Sequence, residues 1–220
     1  MARPKEYLTS TESKNRIMDA CKTLFTEKGY KQTTYNDICN LAKVHPGTIT
    51  YHFGSKKKMA AILYNSLVES IYRYEDDLFA DADDLQKLII GNGIHIKLLF
   101  SDPSYCRFSS EYSSEDLSKD DLSHYISLSS KAFRATRDRI GEKRARLLFM
   151  AIKGMDTYIE PYIYENIDDL TYDEIFSFIC EVYYPYLGQS ELNERIEKAM
   201  KRMDQFDIRF EDFKIMIRRK

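Results

Sequence analysis

Glycine and proline are scarce, eight and five among 220 residues, and no hairpin-turn signal is legible. Abundant Leu, Lys, Glu, Tyr and Met stand beside that shortage, and the chain reads as all-α. The four cysteines, Cys21, Cys39, Cys106 and Cys180, are scattered, with no C-x-x-C and no histidine at a metal-ligand spacing. They read as reduced, small core residues of a cytoplasmic protein rather than a disulfide framework or a metal site. No apolar run approaches the length of a membrane span, and no leader-like segment is present. A nucleophile elbow, a phosphate loop and a metal cluster are all missing. The acid pairs Asp83-Asp84, Asp120-Asp121 and Asp168-Asp169 look like helix starts, and His95 and His124 like core or surface residues. An enzyme, a cofactor and a bound metal are therefore not expected.

What is present is an uneven charge. Residues 1–58 hold eleven Lys/Arg against five Asp/Glu, and residues 59–220 hold 22 against 30. A basic head on an acidic body suits nucleic-acid contact confined to one end. The length accommodates a small domain and a larger one, each with its own core. The head opens with a helix begun near Thr9, which can form a capping box with Glu12. Ile17, Ala20, Cys21, Leu24 and Phe25 recur on one face of it, and Gly29 ends it.

The organising stretch is Thr33 to Lys58. Thr34 can cap a helix with Asp37 reaching back, and Ile38, Cys39 and Ala42 form its inner face. Lys43, Val44 and His45 make a turn, Pro46 takes the first position of a second helix, and Ile49 and Phe53 point back to the core. That spacing is a helix-turn-helix with residues 45–52 as recognition helix. Ser55 caps a third helix whose first turn is Lys56, Lys57 and Lys58. Three cations at the positive end of a helix dipole suit a phosphate there, Lys56 above all.

This stretch resembles the DNA-binding motif of the TetR family of bacterial transcriptional repressors. Thr33-Thr34, Ile38, Ala42, Val44, Gly47-Thr48, Phe53 and Ser55-Lys56 match the family pattern, and the run at 24–34 extends the resemblance to about residues 10–65. Two positions depart from it. Lys43 stands where glycine is usual, implying a positive φ at a cost of about 1 kcal/mol. Thr50 stands where tyrosine is usual, which shifts a backbone contact toward Tyr51. The resemblance implies Thr33, Thr34, His45, Pro46, Gly47, Thr48, Tyr51, His52 and Lys56 as DNA-contacting residues. His45, Thr48 and Tyr51 would read base edges or thymine methyls, and the threonines, His52 and Lys56 would meet phosphates.

Beyond the head, residues 55–79 form a connecting helix into the body at 59–220. Apolar spacing then marks helices at 84–100, weakened by Gly91 and Gly93, at 119–139, at 142–165 with Pro161 late in it, and at 171–188 behind a Thr171/Glu174 capping box. Residues 104–114 form a short helix or loop. A long last helix of 190–218 carries Leu192, Ile196, Met200, Met203, Phe206, Phe210, Phe213 and Ile217 on one face. The apolar faces at 142–165 and 171–188 exceed what one small bundle needs, and the resemblance implies a homodimer built on them. It also implies a pocket for a small, apolar or aromatic effector, for which Leu99, Tyr105, Tyr112, Tyr125, Phe133 and Tyr158 are candidates; as ordinary core they would serve equally. The expected function is a ligand-responsive repressor binding a palindromic double-stranded DNA operator. The alternative is a nucleoid or cell-division factor whose body binds a protein.

Overall fold

All three capping boxes read from the sequence form. A computed structural model describes residues 9–115 and 130–220. Thr9 and Glu12 open α1 (Ser10–Glu27), and Thr34 and Asp37 open α2 (Tyr35–Ala42). Thr171 and Glu174 open α9 (Tyr172–Tyr183). Each satisfies amide donors that a bare helix end leaves unpaired, worth about 1 kcal/mol apiece. Between them, α3 (Pro46–Phe53) carries proline in its first turn, and Ser55 caps α4 (Lys56–Leu78). The inner faces of α1 to α3 meet through buried Ile17, Cys21, Phe25, Ile38, Ala42 and Ile49.

The body is built around α5 (Asp84–Ser101), whose leucines and isoleucines are buried on every side. A helix apolar all round must be enclosed. It is enclosed by α4, by α6 (Pro103–Ser113), α7 (Ser130–Ile140) and α9, and by α10 (Gln189–Met203). Helix α8 (Glu142–Glu165) packs outside them, on α6 and α7. It runs past Pro161 to Glu165, so the proline does not end it. Gly91 permits the closest approach inside the body. A Cβ there would lie 2.0 Å from the Glu75 carboxylate on α4. Head and body share one continuous apolar core, joined along α4 and by the stacked rings of Phe25 and Phe108, 5.8 Å apart.

The C-terminal segment corrects the expectation of one long helix over 190–218. Helix α10 stops at Met203, and a hairpin follows, β1 (Phe206–Glu211) against β2 (Lys214–Arg219), with Phe206 opposite Arg219 and Glu211 opposite Lys214. Phe206, Phe210, Phe213 and Ile217 do recur at helical spacing. Yet Phe206, Ile208, Phe210, Ile215 and Ile217 are all buried, and they alternate with period two within each strand. The turn residues Asp212 and Phe213 have φ of 49° and 58°, as a two-residue hairpin turn with both centres left-handed requires. Neither is glycine or asparagine, so the turn gave no signal in the sequence. A left-handed phenylalanine costs about 1–2 kcal/mol. Burial of its ring 4.8 Å from Phe108 offsets that. The hairpin lies along α4, where the Tyr74 hydroxyl donates to the Ile215 carbonyl at 3.2 Å. The chain is thus mostly helical, as expected, with one hairpin among the described residues. The helix expected over 119–139 is described from Ser130 onward, and Leu122, His124, Tyr125, Ile126 and Ser129 lie outside the described residues.

Candidate functional site

Two regions gather chemistry-bearing side chains: the outer face of α3 and a cavity inside the body. Lys43 ends α2 with φ 58° and ψ 45°, the left-handed turn expected where the residue is not glycine. The turn delivers α3 with Ile49 fully buried beneath it. His45, Pro46, Gly47, Thr50 and Tyr51 are exposed, and Thr48 and His52 are half-buried. Tyr51 is 83% exposed, with the His52 ring 4.9 Å away. The helix carries no acid, so nothing on it repels a polyanion. His52 also neighbours the Phe53 ring at 6.2 Å, so it lies between the exposed face and the core.

Three expected phosphate contacts have other engagements. Thr33 is buried, and its hydroxyl donates to the Gly29 carbonyl at 2.6 Å, which removes it from the surface. Thr34 is exposed but serves the cap, its hydroxyl 2.7 Å from the Asp37 carboxylate. Lys28 binds that same carboxylate at 2.6 Å and, with Thr34, holds it far below the usual range. Lys56 turns inward. Its ammonium donates to the carbonyls of Tyr30 at 2.8 Å and Thr33 at 2.9 Å, with Lys31 at 3.4 Å, over the Tyr30 ring. An ammonium has three protons to donate. Only the longest of these bonds is weak enough to exchange for a phosphate.

Residues 17–61 match the family pattern described as "Bacterial regulatory proteins, tetR family". The biofilm operon icaADBC negative transcriptional regulator IcaR of Staphylococcus aureus (strain Newman) is 35% identical over 65 residues, 30% of this chain and 33% of that protein. Its counterpart from Staphylococcus epidermidis is 35% identical over 72 residues, 32% of this chain and 37% of that protein. The head of this chain, over residues 17–61, carries the TetR-family pattern. The chain spans about a third of the length of these curated relatives, and the likeness lies in the head. The fold is similar beyond the head. Ligand-free RolR superposes with a TM-score of 0.60 at 14% identity, covering 84% of this chain and 96% of that one. NalD of Pseudomonas aeruginosa gives 0.52 at 15%, covering 82% and 98%.

In the body a cavity of about 130 Å³ opens between α4, α5, α7, α8 and α9. None of the five sequence candidates among the described residues lines it. Leu99 and Tyr105 are core, Tyr112 packs on Tyr64 and Phe108, and Phe133 joins Phe149 and Ala145 in a small cluster. Tyr158 is 79% exposed on the outside of α8, and Tyr125 lies outside the described residues. Aromatic spacing selected the core, whereas the cavity wall is marked by acids standing in apolar stripes. Leu67, Ile71, Glu75 on α4 and Phe149, Ile152, Asp156, Glu160, Ile163 on α8 keep helical spacing straight through their carboxylates. That interruption was the available signal.

The acids differ in their support. Glu160 accepts from the Ser109 hydroxyl at 2.6 Å and from Ser113 at 2.8 Å, and lies 3.4 Å from His95 Nε2. His95 Nδ1 is 2.8 Å from the Tyr105 hydroxyl. Burial opposes ionisation of Glu160, but His95 and the two serines outweigh it and hold the carboxyl below its usual range. Burial, then the charge of Glu160, pushes Asp156 up to about 6, although Tyr183 donates to it at 2.5 Å. Glu75 has the least support. Its Oε2 is buried without a hydrogen-bond partner, and burial pushes the carboxyl up to about 8.

The same α6 that supplies Ser109 and Ser113 touches the head. Arg107 Nη2 donates to the Thr26 carbonyl at 2.5 Å, and Glu111 Oε2 accepts the Lys31 amide at 2.7 Å. Gly29 completes this contact, with φ 91° and its Cβ direction 2.9 Å from the Glu111 carboxylate, so no side chain fits.

Lys56→Ala is expected to lower the stability of the head by about 1–3 kcal/mol, because it strands buried carbonyls. Thermal melting checks this, and an unchanged melting temperature would contradict the inward assignment. Glu75 gives a second expectation. Between the ordinary carboxyl value of 4.5 and about 8, the folded chain keeps a proton that the unfolded chain has released. Stability from this group therefore falls as pH rises through that window, by up to about 1.4 kcal/mol per pH unit. Urea unfolding from about pH 5 to about pH 8 should show that component in the native chain and not in Glu75→Gln. Identical slopes would refute it.

Proposed function

We propose that this chain is a ligand-responsive, sequence-specific transcriptional repressor that binds a palindromic DNA operator as a homodimer. The observation that carries the reading is the acid-free α3, seated on buried Ile49 with His45, Gly47 and Tyr51 facing solvent beside a half-buried Thr48. A helix so presented fits the major groove, where side chains distinguish base pairs. The net charge of the head favours the approach to a polyanion. The matched IcaR is named a negative regulator and NalD a secondary repressor, which favours repression as the sign.

Support for a homodimer comes from the outer face of α8. Leu147, Met150, Tyr158 and Tyr162 are exposed there, with Phe178 exposed on α9. Large apolar side chains gathered on one face mark an association surface. A two-fold dimer would set the recognition helices about one DNA turn apart, roughly 34–36 Å. The recessed cavity between the body helices favours a small-molecule effector over the protein-partner alternative, since small ligands take concave sites.

The test is an unbiased selection of bound DNA. The native chain should enrich a palindrome, and Tyr51→Ala should enrich a different one while melting at the native temperature. Enrichment of unpaired half-sites, or an unaltered preference in Tyr51→Ala, would count against the reading.

A further inference from the structure

Resting on the effector-responsive reading above, we propose that the cavity takes an organic cation, an aromatic or apolar amine whose ammonium donates to Glu75. Glu75 is 1% exposed, and its Oε2 meets no hydrogen-bond donor. Buried polar atoms almost always have a partner, so an orphan facing a cavity calls for a ligand that supplies one. Asp156 and Glu160 stand in the same wall, and among the described residues no lysine or arginine lines it. The two nearby lysines are already engaged, Lys87 at 3.1 Å and Lys131 at 2.6 Å from Asp76. A ligand carboxylate would meet three acids, and the imidazole in the wall, His95, is already engaged by Glu160 and Tyr105. A neutral apolar ligand would leave the orphan oxygen unmet. An ammonium answers both problems, and the rings of Tyr64, Tyr72 and Phe149 in the wall offer faces to a cation and its aromatic body.

The charged and titratable groups around Glu75 shape a second readout. They are Asp76, Tyr64 and Tyr72 on its own helix, Asp84, Lys87 and His95 on α5, Lys131 on α7, Asp156 and Glu160 on α8, and Tyr183 and Tyr184 at the end of α9. With its carboxyl raised to about 8 by burial, Glu75 holds its proton at neutral pH while the cavity is empty. An entering ammonium displaces that proton to solvent. Binding therefore releases protons and tightens as pH rises toward 8, provided the amine itself stays protonated.

The test uses the full chain without DNA, titrated calorimetrically with phenethylammonium, 2-phenylethanol and 3-phenylpropanoate. These probes share a ring and reach but differ in charge. Phenethylammonium should bind at least about tenfold more tightly than the alcohol, with proton release across buffers of different ionisation heat, and the acid should not bind. Glu75→Gln should lose about tenfold for the amine and leave the alcohol unchanged. Equal or tighter binding of the alcohol or the acid, binding of none of the three, or full amine affinity in Glu75→Gln would overturn the proposal. Should Glu75→Gln fail to fold, the charge series on the native chain decides by itself. DNA selection with the ligand-free chain tests the regulator reading separately. Amine binding without DNA binding would keep this inference and sink that reading, and the reverse result would do the opposite.

Discussion

Two serines of α6 hold the buried carboxylate of Glu160 on α8, and that pair of bonds fixes one of the elements that join body to head. Glu160 is 4% exposed. A carboxylate removed from water loses several kcal/mol of solvation, which only well-placed donors restore. Ser109, Ser113 and His95 are those donors, so α6 cannot slide along α8 without stranding a charge. On its other side α6 grips the head through Arg107 and Glu111, whose partners are a backbone carbonyl and a backbone amide near the end of α1. The cavity wall and the head are therefore separated by one short helix with charge-assisted contacts on both faces.

Helix α4 gives the second connection. Its first residue ties to the carbonyls of Tyr30 and Thr33, its Tyr74 holds the hairpin, and its Glu75 lines the cavity. On the proposed reading, a ligand that favours one arrangement of α4 and α6 over another would shift DNA affinity by that preference alone, and about 1.4 kcal/mol would suffice for a tenfold change. The hairpin adds weight to the same joint, with Phe210 against Tyr105 and Phe213 against Phe108.

The head was largely legible before the structure, because its signals are local. A threonine three residues ahead of an acid, a proline at a helix start and a lysine in place of a turn glycine each act within one turn of chain. Lys56 was misplaced for the opposite reason. Its partners Tyr30 and Thr33 are over twenty residues away, and sequence spacing does not report such a return. The hairpin was missed because Asp212 and Phe213 adopt left-handed turns without the residues that usually announce them. Leu99, Tyr105, Tyr112 and Phe133 pack in the core, and helical spacing does not separate them from the aromatic wall residues Tyr64, Tyr72 and Phe149. Acids within apolar stripes, Glu75 on α4 and Asp156 and Glu160 on α8, were the better guide.

Through α6 the cavity wall is coupled to the head. Hydrogen exchange on the double variant Ser109→Ala/Ser113→Ala measures this without any ligand. The Lys31 amide, held by Glu111, should lose protection by about tenfold relative to the native chain, while α10 keeps its own. Looser α6 amides with an unaltered Lys31 would contradict the coupling.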